Sequence, residues 1–337
     1  MSRRSVTTYD ESDVRIRPGR GTRPRSKIRP KHADAEPAMV IAVDRGRFTC
    51  LMSDDERLVT AMRARELGRK AVVVGDRVGI VGDVSGQVGS LARIVRVERR
   101  ATVLRRTADD DDPVERVIVA NAEQLMVVTA VADPEPRPRL IDRCLVAAFD
   151  AGLEPVLCIT KSDLADPSDL LAAYEPLDVP IIVTGQHLDD PLDVHVLAER
   201  LHDRVTVLVG HSGVGKSTLV NALVPGADRA IGHVNEVTGR GRHTSTSAVA
   251  LRLPSGGWVV DTPGIRSFGL AHVDPDQVIR AFPDLQAQTA DCPRGCTHAA
   301  TEPECALDDA ARDGRVPAVR VDSFRRLLAS RDRQAGD

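Results

Sequence analysis

The chain has 337 residues, a formal net charge of −3 and 42% hydrophobic residues, a length that makes two or three domains with a substantial core. No apolar run approaches the ~18 residues of a membrane span, and the polar N-terminus lacks the apolar middle of a signal peptide. No membrane partner is expected, and the predicted location is the cytoplasm.

Residues 1–36 form the first segment, and the first 32 carry ten Lys or Arg against three acids, with almost no apolar periodicity. This reads as a basic disordered arm, either a solvated tail or a binder of phosphate backbones. Residues 37–105 are a succession of short strand-like runs, MVIAV, FTCLM, RLVTAM, KAVVVGDRVGIV and LARIVRVE, punctuated by Gly and Asp. Their number and spacing suit a small β fold, foremost a five-stranded OB-type β-barrel.

Residues 106–273 change character. Strands that are apolar nearly throughout (QLMVVTA, EPVLCIT, VPIIVTG, VTVLVG, GWVVDTPG) alternate with helical segments at 141–151 and 216–223. Such strands belong in a parallel sheet covered on both faces, so this domain is α/β. Cys50, Cys144 and Cys158 fall within apolar stretches and read as small buried hydrophobes. From 274 to 337 strand signals fade, a Cys/His cluster appears, and helical material such as SFRRLLASR closes the chain. So short a segment buries too little apolar surface to fold securely unaided, which points to a metal staple.

The clearest chemistry is GHSGVGKS, which satisfies GxxxxGK[ST] between a strand and a helix. Gly210, His211, Ser212, Gly213, Val214 and Gly215 form a loop whose backbone N–H groups can turn onto phosphate oxygens. Lys216 neutralises β/γ-phosphate charge and is assigned a catalytic role, Ser217 offers a hydroxyl to Mg²⁺, and Thr218 follows in the helix. DTPG ends a later strand; Asp261 could hold Mg²⁺ through water and Gly264 could meet the γ-phosphate. Between them GRGRHTST is polar and cannot pack; Thr244, or alternatively Thr246, could complete the Mg²⁺ shell in a loop that closes on GTP.

Thr160, Lys161, Ser162 and Asp163 form TKSD, which looks like the segment with which GTP-binding proteins read guanine. The Asp163 carboxylate can accept from guanine N1–H and the 2-amino group, donors that adenine lacks, while the Lys161 stem lies along the base. A second strand ends in Thr184 and Gly185, suited to a backbone contact with the base. All these pieces end strands of one sheet, where ligands bind in such folds. TKSD precedes the phosphate loop, so the order of a GTPase domain is circularly permuted, and DTPG leads straight to the C-terminal segment.

The permuted order, the preceding barrel, PGADRAIGHVNEVTGRGRHTST after the phosphate loop and the terminal Cys/His cluster resemble the RsgA (YjeQ) family of ribosome small-subunit-dependent GTPases over residues 38–330. The resemblance implies an OB-fold, a circularly permuted P-loop GTPase domain and a helical zinc domain. It also implies a role late in maturation of the small (30S) subunit, with GTP hydrolysis slow alone and faster on that subunit. GTP and GDP, Mg²⁺, one structural Zn²⁺ and 16S rRNA are the partners implied, and a monomer is expected. The family lacks the usual water-positioning glutamine, and Ile265 here cannot replace it; the resemblance puts the hydrolytic role on His243. A solvent-facing or RNA-contacting His243 is the alternative.

Cys292, Cys296, His298 and Cys305 supply three thiolates and an imidazole, the set of a closed tetrahedral Zn²⁺ site. Their spacing is Cx3CxHx6C, where the family shows Cx4CxHx5C. Aromatic content is 2% and the barrel segment has Phe48 but no Trp or Tyr, so base stacking is not expected there. Arginines of the barrel, the arm and the C-terminal helix are expected to contact folded RNA through phosphate and shape. The competing readings are a GTPase serving another cargo, an RNA-binding protein with little turnover, and an ATPase.

Overall fold

A computed structural model describes residues 32–44, 46–67, 72–106, 115–185, 191–227, 248–262, 270, 273 and 275–330. The first five strands are β1 (Glu36–Asp44), β2 (Arg47–Met52), β3 (Leu58–Arg63), β4 (Arg77–Gly82) and β5 (Ala92–Val97). Their neighbour order β1-β2-β3-β5-β4, with β4 pairing back onto β1, closes a five-stranded barrel. Alternate residues turn inward, so Val40, Cys50, Val59, Ile80 and Ile94 are fully buried together. Phe48 is part of that core and offers no exposed ring.

The run VVVGDRVGIV is not one strand. It bends at Gly75, whose φ is +87° and where a Cβ would lie 2.0 Å from the Ala120 carbonyl oxygen, a site only glycine tolerates. Asp76 beside it is fully buried. It accepts from Arg100 Nε at 2.7 Å and Nη2 at 2.8 Å, and from the Val73 N–H at 2.9 Å, so the buried charge is fully partnered. This corner ties the barrel to a hairpin that no sequence signal announced, β6 (Val103–Arg106) with β7 (Arg116–Ala120).

The α/β part consists of β8 (Gln124–Ala130), α1 (Pro138–Asp150), β9 (Glu154–Thr160), α2 (Ser168–Tyr174), β10 (Ile181–Val183), α3 (Pro191–Leu201), β11 (Val205–Val209), α4 (Lys216–Leu223), β12 (Val249–Arg252) and β13 (Trp258–Asp261). Its strands lie in the order β10-β9-β8-β11-β13-β12, the first five parallel and β12 antiparallel. Every residue of β8 is buried, the signature of a sheet covered on both faces. The chain runs outward from β8 in one direction and from β11 in the other, so the crevice between their carboxyl ends is a topological switch point. A bulge between Val40 and Ala42 turns the end of β1 onto β12, with Ala42 opposite Val249, and barrel and α/β sheet become one eleven-stranded sheet.

Four short helices follow: α5 (Pro275–Arg280), α6 (Pro283–Gln286), α7 (Ala306–Arg312) and α8 (Ala318–Ala329). They share the α/β core, because Phe282 stands edge-on between Phe149 of α1 (5.0 Å) and Phe324 of α8 (5.3 Å). The α8 arginines assigned to RNA from sequence are largely engaged within the protein. Arg320 bonds Asp284 at 2.9 Å and the Pro176 carbonyl, Arg325 bonds Asp308 and the His298 carbonyl, and Arg326 pairs with Asp142 and lies over the Tyr174 ring. Among the described residues no helix is long and apolar enough to cross a membrane.

Candidate functional site

The phosphate loop leaves β11 and ends at α4, whose N-cap is Gly215 in the left-handed region, φ +93°. Gly210 has no room for a side chain, since a Cβ there would lie 2.3 Å from the Val128 carbonyl oxygen. Val214 is fully buried and anchors the turn from beneath, while Ser217 and Thr218 occupy the first turn of α4. Lys216 is buried and donates from Nζ to the carbonyls of Gly210 (2.6 Å) and His211 (3.0 Å). Burial pushes its pKa down and Asp261 opposes that; burial pushes the Asp261 carboxyl up and Lys216 opposes that. The two charges thus share a partly dry site, where phosphate and a divalent cation would each find a counter-charge.

His211 shows its tautomer: Nδ1 faces the Ser212 carbonyl at 3.0 Å, which can only accept, so Nδ1 bears the proton. Its Nε2 is buried without a partner. Asp261 ends β13 opposite Leu208 of β11, and Thr262 fastens that strand end by donating to the Leu208 carbonyl at 2.6 Å.

TKSD leaves β9 two strands away. Thr160 bonds the Val214 carbonyl at 2.7 Å, stitching TKSD to the phosphate loop. Lys161 takes a positive φ of 60° and its ammonium bonds the Asp133 carbonyl. Ser162 donates its N–H to the Thr184 carbonyl at 3.1 Å, and Thr184 donates to the Ile159 carbonyl at 2.8 Å. A Cβ on Gly185 would stand 3.6 Å from Asp163 Oδ1, so the carboxylate and the β10 end converge. The sequence-assigned residues 160–163, 184–185, 210–218 and 261 therefore border one crevice. His243, Thr244, Thr246, Gly264 and Ile265 lie outside the described residues. The segment after β8 was missed: Asp133 receives Lys161, and Pro134 lies 3.5 Å from where a Gly213 Cβ would be. The signal available was its place directly after a strand at the switch point.

The second constellation lies about 80 residues onward in the chain. One ligand atom from each of Cys292, Cys296, His298 and Cys305 falls within 4.8 Å of the others. His298 Nδ1 is 3.6, 3.5 and 3.8 Å from the three sulfurs. A tetrahedron with Zn–S near ~2.3 Å and Zn–N near ~2.0 Å has nitrogen–sulfur edges of about 3.6 Å, so the donor set fits that ion in both type and spacing. His298 adopts φ +60°, and its carbonyl is held by Arg325 of α8 at 3.2 Å. The one-residue shift of the inner pair leaves all four donors convergent. Cys50, Cys144 and Cys158 are buried and form no disulfide.

The RsgA GTPase family model matches residues 97–271. The chain belongs to the RsgA GTPase family. The small ribosomal subunit biogenesis GTPase RsgA of Ectopseudomonas mendocina is 44% identical over 220 residues, spanning 63% of either chain. The crystal structure of YjeQ from Thermotoga maritima superposes with a TM-score of 0.65 at 26% identity, covering 89% of this chain and 99% of that one. YloQ, a circularly permuted GTPase, shares the fold with a TM-score of 0.63 at 22% identity, covering 92% and 100%. An RsgA-family fold is thus present, with barrel, permuted GTPase domain and C-terminal Cys/His cluster in that order.

Proposed function

We propose that this chain is a GTP hydrolase that acts in biogenesis of the small ribosomal subunit, as its RsgA relatives are named. The observation that carries the guanine reading is the bond from Thr160 to Val214, with Asp163 beside Gly185. It joins a guanine-reading carboxylate to a phosphate loop in one crevice, where an ATPase would leave Asp163 without donors. Thr160, Lys161, Ser162, Asp163, Thr184 and Gly185 build the base pocket, with Asp163 contacting the base edge. Residues 210–218 bind the phosphates, with Gly264 at the γ-phosphate and Lys216 countering developing charge. Ser217, Thr244 and Asp261 hold Mg²⁺, which when bound polarises the phosphoryl oxygens. His243 orients the attacking water; His243→Ala should abolish subunit-stimulated turnover while GTP affinity stays within about twofold.

Cys292, Cys296, His298 and Cys305 hold one structural Zn²⁺. Functional boundaries fall at 37, 106 and 274, with the basic arm before the first, and the protein works as a cytoplasmic monomer. The rRNA surface is the barrel rather than α8: a cavity of about 510 Å³ is lined by Arg63, Arg65 and Arg93 with Met62 and Leu91. Arginines over apolar stems suit phosphate and shape contacts. GTP turnover measured with and without purified small subunits tests the function. Stimulation that weakens steeply with salt is expected; no stimulation would leave a nucleotide-dependent RNA-binding protein.

A further inference from the structure

Thr160 has one hydroxyl proton and two carbonyls beside it, Val214 O at 2.7 Å and Thr129 O at 3.2 Å. The residue is buried, and its Oγ1 lies 3.6 Å from where a Cβ on Gly215 would stand. It therefore sits beneath the path that a purine must take between Asp163 and the phosphate loop. A hydroxyl donates only once, so with Val214 bonded nothing is left to donate to the base. A carboxamide in the same place has two donor protons, and could bond the loop carbonyl with one and purine N7 with the other.

The neighbouring strand records the same shortage. The pairing Val183↔Ile159, carried one residue on, sets Thr184 beside Thr160 on the same face. Thr184 Oγ1 is buried without a hydrogen-bond partner, which is costly. That is the group a longer amide at 160 would reach. The Lys161 ammonium is committed to Asp133, so it too is directed away from the base edge.

We propose that Asp163 reads guanine through the N1–H and 2-amino edge, that residue 160 leaves N7 unread, and that Thr160 is a positioning residue locking the base loop to the phosphate loop. The proposal rests on the guanine assignment to Asp163. Affinities of the full chain for GDP, 7-deaza-GDP and ADP, measured by calorimetry, test both. The expected result is 7-deaza-GDP within about twofold of GDP, with ADP at least about a hundredfold weaker. Thr160→Asn should split the first pair, GDP becoming tighter than 7-deaza-GDP by about tenfold. Thr160→Val should weaken both equally, a pattern that general damage to the fold would not convert into the split seen with asparagine. A wild-type preference for GDP over 7-deaza-GDP of about tenfold, with ADP still excluded, overturns the proposal and leaves the guanine reading standing. Equal affinity for ADP and GDP overturns both.

Discussion

His211 shows how one side chain in the phosphate loop can set a pH limit. Its Nδ1–H is held by the Ser212 carbonyl and its Nε2 is buried without a partner. Burial is the main cause that lowers its pKa, and the positive charges of Arg137 and Lys216 add to it, against the Ser212 hydrogen bond. The neutral ring is therefore the native form. For a depressed folded pKa the stability is present above the unfolded value, near ~6.5, and is lost as pH falls through the folded value. We expect urea stability to fall as pH drops from about 7 to about 5, and His211→Gln to show a shallower fall. Parallel profiles would remove His211 as the cause. In sequence His211 was merely a variable position of GxxxxGKS; its tautomer and orphan nitrogen depend on which carbonyl it meets.

Among elements, α8 shows the gap between pattern and use. Its apolar stripe was legible, and Phe324, Leu327 and Leu328 are buried as that stripe requires. Its arginines were not, because charge on a helix reads as solvated until a partner is known. Arg326 reaches Asp142 of α1 at 3.3 Å, and Asp142 is buried, with burial raising its pKa and Arg326 opposing. Removing the arginine would take the ion-pair partner from a buried carboxylate. Arg326→Met should cost about 2 kcal/mol, below the value for a fully buried pair because the guanidinium is partly exposed. Asp142→Asn in the same chain should restore much of it, as a denaturation cycle would measure; additive losses would show that the two are not coupled.

At the level of the molecule, the Cys/His cluster is joined to the rest through α7 and α8. Cys305 is the N-cap of α7, and Arg325 bridges the His298 carbonyl to Asp308, while Phe282 joins α8 to α1. A structural metal contributes folding free energy directly. Freshly reduced protein should contain one zinc per chain by elemental analysis, and chelation should lower the melting temperature by several degrees. Cys292→Ser should match the chelated protein and respond little to further chelator. Zinc-free protein with unchanged melting would dismiss the site.

Local chemistry was legible without coordinates. Glycines at forced positions, a lysine and hydroxyl after them, a TKSD segment ending an apolar strand and four metal-type donors each stand out through residue type and spacing. So did the barrel and the α/β alternation, since the period of apolar residues follows directly from strand and helix geometry. Tertiary structure alone decided which groups meet across long separations. It bent VVVGDRVGIV at Gly75 because Ala120 comes close, turned the end of β1 onto β12, drew the α8 arginines inward and left the Thr184 hydroxyl without a partner beside Thr160. The reason is physical: periodicity fixes the face on which a side chain lies, whereas a hydrogen bond or ion pair exists only once a distant segment fills the space opposite.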